Sequence, residues 1–305
     1  MNKEKFKEIS VQINAAQDDN MEIEFPITND IVFNLAMQDP NLCRQMLERI
    51  FPDKEIGEVR LVGQDEDNSS NKSSNSILLN TQQVLETGIA AKGVRLDVFM
   101  ASENEWYDIE MQCQDFKDLP KRSRYYHSTM DITMLKRGQL YSNLNPSYVI
   151  FICIEDLFKE NLPIYHFQNL CEEKVDEKLC LKLNDGTCTI FLNAACTDKS
   201  IPKSLKTLFD YICKMKCTGE DLFITALHNK VKELNSAEGR KILRTFEDKI
   251  NEEKARSYKE GELKGELKGE LKGKQEAALA MLKEGLDVAM VSRITGLSTE
   301  EIERL

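Results

Sequence analysis

Two periodicities of hydrophobic positions divide the chain into predicted helices and strands. Residues Asp30–Ile50, DIVFNLAMQDPNLCRQMLERI, carry apolar side chains at helical spacing interrupted by Pro40, which predicts two helices with a break between them. Residues Glu58–Gly63, EVRLVG, predict a short strand. The stretch Gln64–Asn80 begins with a Ser/Asn-rich segment that cannot bury a core, so a polar loop is expected there.

A hairpin, a helix and a buried strand are predicted next. Residues Val94–Ala101 and Trp106–Gln112 are short apolar segments joined by the polar turn SENE, which is typical of a hairpin. Leu119–Leu140 predicts a helix that begins near Pro120, and Tyr148–Ile154 predicts a fully buried strand. The order is helix, three strands, helix and strand, which indicates an α/β domain.

The next part of the chain is less regular and contains an internal repeat. Lys159–Lys199 is mixed and rich in short polar segments, which suggests a peripheral extension, whereas Lys203–Asn251 predicts amphipathic helices. Gly261–Lys274, GELKGELKGELKGK, repeats every four residues. A helix here would align leucines in one row and glycines in another, but each glycine costs about 1 kcal/mol of helix propensity. A helix that has a partner and a flexible linker both fit this segment.

The C-terminal residues predict short helices. Gly296 marks a turn, and Ser298 with Glu301 forms a capping box that opens the last helix. The pattern resembles a helix-turn-helix, but the last helix, TEEIERL, carries three glutamates and one arginine. Such a helix is poorly suited to a groove lined by phosphates. We therefore favour a protein-docking module, for self-association or for a small inhibitory protein, over a DNA-reading module.

Composition adds bounds to this organisation. A chain of 305 residues can hold one sizeable domain with appendages. The predicted segments are a tail over 1–24, an α/β domain with its extension over 25–200, a helical region over 201–260, the repeat over 261–274 and a helical module over 275–305. The N-terminus lacks a signal-like apolar run, and no run of about 18 apolar residues occurs, so a cytoplasmic protein without membrane association is expected. The nine cysteines lack any CxxC pair and are expected to be reduced.

The charge distribution narrows the possible partners. A formal net charge of −11 disfavours a general polyanion binder, because like charges repel everywhere except at a local patch. The stretch from Cys113 to Leu140 is such a patch. It contains Lys117, Lys121, Arg122, Arg124, Lys136 and Arg137 against Asp115, Asp118 and Asp131, with Tyr125, Tyr126 and His127 between them. A solvated helix face would have the same composition, but the position directly after Gln112 favours a functional role.

Polar side chains interrupt both predicted hairpin strands. Asp97 lies in RLDVFM, and Glu110 and Gln112 lie two apart in YDIEMQCQ. Because strand side chains alternate with period two, these three groups can converge on one face of the sheet. Two close carboxylates repel unless a cation lies between them, and oxygen ligands suit Mg²⁺ or Mn²⁺. Alternatively, Asp97 pairs with Arg95 or Lys92, and the other two residues lie on an exposed sheet face.

Three segments around these residues carry the pattern of a known family. They are PITNDIVFNLAM, RLDVFMASENEWYDIEMQ and KRSRYYHSTMDITMLKRGQLYSNLNPSYVIFI. Together they resemble the recombination-promoting nuclease group, also described as PD-(D/E)XK nuclease family transposases. The resemblance extends from about Phe25 to Phe158, and its most specific element is an aspartate followed, after twelve residues, by E-x-Q. It implies a restriction-endonuclease-like α/β core, a mixed central sheet flanked by helices in the order α-β-β-β-α-β, with an α-helical C-terminal region.

The resemblance also implies roles for the residues of the hairpin. Asp97 matches the family's metal-binding aspartate, Glu110 the acidic residue of the (D/E)XK element, and Gln112 the position of the superfamily's lysine. The backbone carbonyl of Met111 would be a further metal ligand. Glutamine is the expected residue in this group, but it supplies no positive charge. A Gln112→Lys change would then restore the commoner arrangement and keep some activity.

Further residues are implied to contact DNA or the metal. Arg122 and Tyr126, one helical turn apart, match the family's helix motif and would bind the scissile or a flanking phosphate, with Lys121 and Arg124 beside them. Asp30 on the first helix is a weaker candidate for an additional ligand. An N-cap role for Asp30 explains it equally well.

Two functions from different classes follow. The first is a Mg²⁺- or Mn²⁺-dependent endodeoxyribonuclease that hydrolyses DNA phosphodiester bonds, is linked to recombination, mobile-element or defence activity, and acts as a homodimer. The second is a nuclease-like fold that has lost catalysis and acts as a binding protein through its C-terminal association module. The acidic charge and the missing lysine leave the second open, whereas Asp97, Glu110 and Gln112 favour the first.

Overall fold

Strands and helices alternate through the first part of the chain, and helices follow. The computed structural model describes residues 23–61, 77–85, 94–114, 116–172, 181–198 and 200–305. The strands are β1 (Val59–Leu61), β2 (Ile77–Leu85), β3 (Val94–Ala101), β4 (Trp106–Gln112), β5 (Ser147–Cys153), β6 (Ile164–Phe167) and β7 (Thr187–Asn193). The helices are α1 (Asp30–Ala36), α2 (Pro40–Ile50), α3 (Leu119–Met134), α4 (Lys203–Lys214), α5 (Leu222–Asn235), α6 (Ala237–Lys283), α7 (Val288–Thr295) and α8 (Thr299–Ile302). The chain divides into two compact units, Met1–Leu243 and Arg244–Leu305.

The first two helices have the predicted break. The carboxylate of Asp39 accepts the backbone N–H groups of Asn41 and Leu42, and Pro40 occupies the first turn of α2, where a missing N–H costs nothing. The cap of α1 is Asn29, whose Oδ1 atom accepts backbone N–H groups from the first turn. The N-cap interpretation of Asp30 is therefore wrong, because the neighbouring residue has that role.

All seven described strands form one mixed sheet in the order β1-β2-β3-β4-β5-β7-β6. Neighbours β1–β2, β4–β5 and β5–β7 are parallel, and the other pairs are antiparallel. The β3–β4 hairpin has the predicted bounds, and β5 begins and ends one residue before the predicted strand. Helices cover the sheet, and further helices follow it, which confirms the predicted α/β class.

Strand β2 was not predicted and changes the expected order of elements. Four strands, rather than three, precede α3, because Ile77–Leu85 pairs with both β1 and β3. Its start lies in the segment that was predicted to be a polar loop, and residues 62–76 of that loop lie outside the described residues. Ile77 and Leu79 are buried and Leu78 is exposed, as expected for a strand with one face on the core. This alternation covers too few residues to predict a strand from the sequence.

The expected peripheral extension supplies two strands of the sheet. β7 lies between β5 and β6, and Ile190 and Leu192 on β7 are fully buried. The prediction that Lys159–Lys199 is peripheral is therefore wrong. The polar residues of the segment lie mainly in its loops and its edge strand. β6 is at the edge of the sheet, where Phe167 is 45% exposed, whereas β7 pairs with a strand on each side.

Helix α3 is shorter than predicted. It ends at Met134 rather than at Leu140, and Leu135 has an extended backbone. Gly138 follows with a φ of 88°, a left-handed conformation that a glycine adopts at little cost. Leu140 and Tyr141 are 70% and 86% exposed, so no apolar contact would hold a longer helix on the sheet.

The contact between α3 and the sheet is mostly apolar, with one polar exception. Met130 of α3 packs in a cluster with Phe151 and Phe191. His127, on the same helix, is buried and hydrogen bonds through Nδ1 to Ser147 at 2.7 Å and through Nε2 to Thr189 at 3.1 Å. His127 thus ties the helix to β5 and β7 and does not belong to an exposed basic surface.

We expect His127 to make stability depend on pH. Burial lowers the pKa of His127 to about 4, whereas an unfolded histidine titrates near pH ~6.5. Below that pH the unfolded chain binds a proton that the folded chain rejects, so stability falls with pH until about pH 4. Relative to a His127→Gln variant, the parent should lose about 1.4 kcal/mol per pH unit across this window.

Urea unfolding at about pH 7, 5.5 and 4.5 measures this difference. His166→Gln is the comparison variant: burial lowers the pKa of His166 as well, but this residue is exposed on the edge strand β6, so its substitution should change the pH slope less. Equal pH slopes for the parent and His127→Gln would contradict the prediction.

The second unit contains most of α6 together with α7 and α8. Its hydrophobic core consists of Ala278, Val291, Leu297 and Ile302. Gly285 and Gly296 have φ angles of 87° and 72° and end the two longer helices. Ser298 and Glu301 form the predicted capping box of α8. None of the helices in the described part of the chain combines enough length with enough apolarity to cross a bilayer.

Candidate active site

The β3–β4 hairpin opens at the two carboxylates predicted to act together. Paired residues extend from the turn to Val98–Ile109. One residue further on, the backbone N–H of Asp97 donates to Oε1 of Glu110 at 3.1 Å, and the backbone N–H of Met111 donates to the Asp97 carboxylate. Each strand thus offers a backbone N–H to the carboxylate of the other. This exchange holds the two carboxylates side by side.

Asp97 is partly buried at the opening. Burial raises its pKa to about 6, and the negative charge of Asp30 contributes further. Hydrogen bonds from Asn34 on α1 and from the Met111 backbone, and the positive charge of Arg122, act in the opposite direction. The site therefore keeps Asp97 ionised at neutral pH despite burial, and in a form that favours a cation.

Glu110 is only 3% exposed. Its Oε2 atom accepts a hydrogen bond from the guanidinium of Arg122 at 3.1 Å, and its Oε1 atom accepts the Asp97 backbone N–H. Burial raises the pKa of Glu110 well above its usual value, as do the charges of Asp108 and Asp97. The alternative that placed Glu110 on an exposed sheet face is wrong. The other part of that alternative, an Asp97 partner at Lys92 or the Arg95 side chain, lies outside the described residues.

Asp108 is a third buried carboxylate that the sequence analysis missed. Its side chain is fully buried, and neither carboxylate oxygen has a hydrogen-bond partner among the described residues. Burial raises its pKa well above the usual value, and the charge of Asp97 raises it further. The spacing D-x-E-x-Q in β4 was an available signal, because it sets Asp108, Glu110 and Gln112 on one face of the strand.

Arg122 connects α3 to the carboxylates. Its guanidinium donates to Oε1 of Gln112 at 2.8 Å and to the hydroxyl of Tyr126 at 2.9 Å, besides its bond to Glu110. It also lies 5.5 Å from the ring centroid of Tyr126. Burial alone would lower the pKa of Arg122, but Tyr126 and the carboxylates raise it. The positive charge absent from Gln112 is thus supplied by an arginine beside it.

The remaining predicted residues lie around this centre. Lys121 and Arg124 are exposed on α3. At about 100° per residue, Lys121 lies a quarter turn from Arg122, and Arg124 lies on the opposite side of the helix. Asp30 is exposed at the start of α1, but its charge raises the pKa of Asp97. The structure therefore brings together Asp97, Glu110, Met111, Gln112, Arg122 and Tyr126, with Asp30 near them, and leaves Lys121 and Arg124 on the surface.

The electrostatics of this cluster fit a bound cation. The charge of Arg122 lowers the pKa of Asp97, Asp108 and Glu110, but burial and mutual repulsion outweigh it. Within the described ranges, no three His, Cys, Asp or Glu side chains lie in an arrangement that could hold a metal ion. A cation here would therefore need an additional oxygen, such as a backbone carbonyl, besides two carboxylates.

The sheet and the carboxylates at its opened hairpin define a class of protein, a nuclease domain of the PD-(D/E)XK fold. Residues 68–208 match the family model described as PD-(D/E)XK nuclease family transposase. Residues 272–305 match the C-terminal HTH domain of the Rpn/YhgA-like nuclease family. The family predicted from the sequence is confirmed, and so is the helix-turn-helix pattern of the C-terminal module.

The matched range differs from the expected one. The resemblance was expected over Phe25–Phe158, whereas the match begins before β2 and continues through β7 into α4. It thus includes the strands that were taken for a peripheral extension. No curated protein and no solved structure matches the chain.

Proposed function

We propose that the nuclease domain is a divalent-metal-dependent endonuclease that hydrolyses phosphodiester bonds in DNA. The observation that carries this proposal is the opened hairpin, where Asp97 and Glu110 lie side by side in a cluster of buried carboxyl groups. A purely structural ion pair would not require a third buried carboxylate such as Asp108, which has no hydrogen-bond partner in the part of the chain that the structure describes.

Asp97, Glu110 and the backbone carbonyl of Met111 would hold the cation. In a strand, the N–H and C=O groups of one residue point to the same neighbouring strand, and the N–H of Met111 points to Asp97. Its carbonyl is thereby directed to the same opening. Oxygen ligands suit Mg²⁺ or Mn²⁺, and such an ion supplies the Lewis acidity that phosphodiester hydrolysis requires.

Arg122 is suited to bind a phosphate oxygen next to these ligands. A guanidinium can donate to a phosphate with two N–H groups at once. Gln112 and Tyr126 hold this guanidinium in place. Lys121 and Arg124, on the exposed surface of α3, would contact phosphates further along the DNA and add affinity without sequence preference.

The C-terminal helix-turn-helix is assigned a docking role in this proposal. α8 and its C-cap carry Glu300, Glu301 and Glu303 at exposed positions, which is unfavourable beside phosphates. The module would associate with a second copy of the chain or with a small inhibitory protein. Loss of DNA affinity after charge-neutral changes on α7 and α8 would instead assign DNA reading to it.

Incubation of the pure protein with supercoiled plasmid tests the proposal. Nicked and linear products should form with Mg²⁺ or Mn²⁺ and disappear with a chelator. If no cleavage occurs with either ion while the protein still binds DNA, the alternative of a catalytically inactive binding protein is supported instead.

The position of Arg122 changes the expectation for a lysine at position 112. In the structure, the Arg122 guanidinium already contacts Gln112, so the ammonium of Gln112→Lys would meet a like charge. We expect about a tenfold loss of cleavage rate, equivalent to about 1.4 kcal/mol. The double variant Gln112→Lys/Arg122→Gln exchanges the two groups and should recover most of this loss. A double variant that is slower than Gln112→Lys would contradict this account.

A further inference from the structure

An exposed row of leucines lies in the middle of α6, within the second unit. Leu263, Leu267 and Leu271 of the GELK repeat are 57%, 58% and 44% exposed. Because they are four residues apart, they follow one i, i+4 row, which drifts by about 40° around the helix per repeat. A contact along this row would remove apolar area from water. The repeat therefore offers one defined face to a partner.

The charged residues of the repeat form rows of a single sign. The rows are Glu262, Glu266 and Glu270, and Lys264, Lys268 and Lys272. Like charges four apart destabilise a helix by about 0.2–0.5 kcal/mol per pair. Opposite charges pair at the end of the repeat, where the period is broken, as Lys272–Glu276 and Lys274–Glu270. Within the repeat, helical spacing sets glutamate beside glutamate and lysine beside lysine.

The repeat is nevertheless helical, since α6 extends from Ala237 to Lys283. Four glycines add a cost of about 1 kcal/mol each to this helix. A Cβ atom added at Gly265 or Gly269 would meet nothing within 4 Å, so close packing does not require these glycines in the isolated chain. The helix here is disfavoured by its glycines and by its charge rows, which calls for stabilisation by another chain.

The positions of the rows around the helix determine what kind of chain fits. Each glutamate precedes a leucine and each lysine follows one, so the two rows flank the leucine row at about 100° on either side. When two copies face each other through their leucines in parallel, the glutamate row of each lies against the lysine row of the other. In an antiparallel pair, glutamate would lie against glutamate and lysine against lysine.

We propose that the GELK repeat is a parallel self-association surface, and that its occupant is a second copy of the same segment. The parallel pair buries the leucine row and sets a row of the opposite sign beside each charge row. Rows of i, i+4 residues pack into one another at an interaxial angle of about −50°. Self-association through the repeat does not require nuclease activity. In the parallel pair, the N-terminal ends of the two repeat helices lie at the same end of the pair.

The charge rows are tested with full-length protein. Light scattering and sedimentation should show a dimer for the parent. Changing Glu262, Glu266 and Glu270 together to Lys should weaken association by about 100-fold, because six flanking pairs each change by about a factor of two. A mixture with the matched variant, in which Lys264, Lys268 and Lys272 are Glu, should restore dimers. A monomeric parent, or an unchanged dissociation constant in the Glu→Lys variant, would overturn the proposal.

The orientation is tested by disulfide formation. In a parallel pair, Leu263→Cys meets itself and should give a covalent dimer under mild oxidation. In an antiparallel pair, Leu263→Cys and Leu271→Cys would each remain uncrosslinked alone and would link only when mixed, which would overturn the parallel arrangement. The unsubstituted chain, with its nine native cysteines, is the background control, and peptide mapping identifies the linked residue.

A glycine control separates the leucine face from the opposite face. Gly265→Ala with Gly269→Ala favours the helix and adds methyl groups about 200° from the leucines. Association should be unchanged or tighter. If this change abolishes dimers, the glycine face mediates contact and the proposed leucine interface is wrong.

Discussion

Replacing Asp97 by Asn should lower the rate of metal-dependent plasmid cleavage by at least ~1,000-fold while the protein stays folded. Asp97 is held beside Glu110 by hydrogen bonds that Asn can partly keep, since its side-chain oxygen can still accept the Met111 N–H. What Asn lacks is the negative charge. Loss of a metal-ligand charge removes several kcal/mol of transition-state stabilisation, and about 1.4 kcal/mol corresponds to a factor of ten.

Thermal unfolding provides a readout that does not depend on cleavage. In chelator, Asp97→Asn should melt at or above the temperature of the parent, because one member of a repelling group of buried carboxylates is removed. The stabilisation of the parent by Mn²⁺ should be lost in the variant. Asp53→Asn, at an exposed loop residue, is the matched control. A variant that cleaves at the parental rate would show that Asp97 is not a metal ligand.

Replacing Arg122 by Ala should have two effects of opposite sign. Cleavage should fall by about 100-fold, as expected for the loss of a donor to a reacting oxyanion. Mn²⁺ affinity without DNA should rise instead, because Arg122 donates to Oε2 of Glu110 in the structure and competes for that oxygen. DNA phosphate would draw the guanidinium away from Glu110, so that the ligand becomes available when substrate arrives.

Isothermal titration with Mn²⁺ and single-turnover cleavage measure the two effects separately. Arg44→Ala is the control, because Arg44 pairs with Glu48 on the exposed surface of α2. If both Mn²⁺ affinity and cleavage fall, Arg122 supports the fold of the site rather than competing with the cation. If neither changes, the assignment of Arg122 to the phosphate is wrong.

Local pattern was sufficient for the elements that carry the site. Pro40 separates α1 from α2, the β3–β4 hairpin has the predicted bounds, and Ser298 caps α8. These features depend on interactions between residues a few positions apart, namely caps, the period of two and short turns. The same period placed Glu110 and Gln112 on one face. The predicted hairpin also placed Asp97, on the neighbouring strand, where it can face Glu110.

The sequence alone therefore determined the hairpin, its two paired carboxylates and the class of the domain. Only the tertiary structure decided that Asp108 is buried with no hydrogen-bond partner among the described residues, and that Arg122 on α3 binds Glu110. It also decided that β7 inserts beside β5 and that α3 ends at Met134. Burial and charge pairing depend on which distant segments meet, and strand insertion depends on partners far apart in the chain. Periodicity over neighbouring residues does not show which distant segments meet or which strands pair.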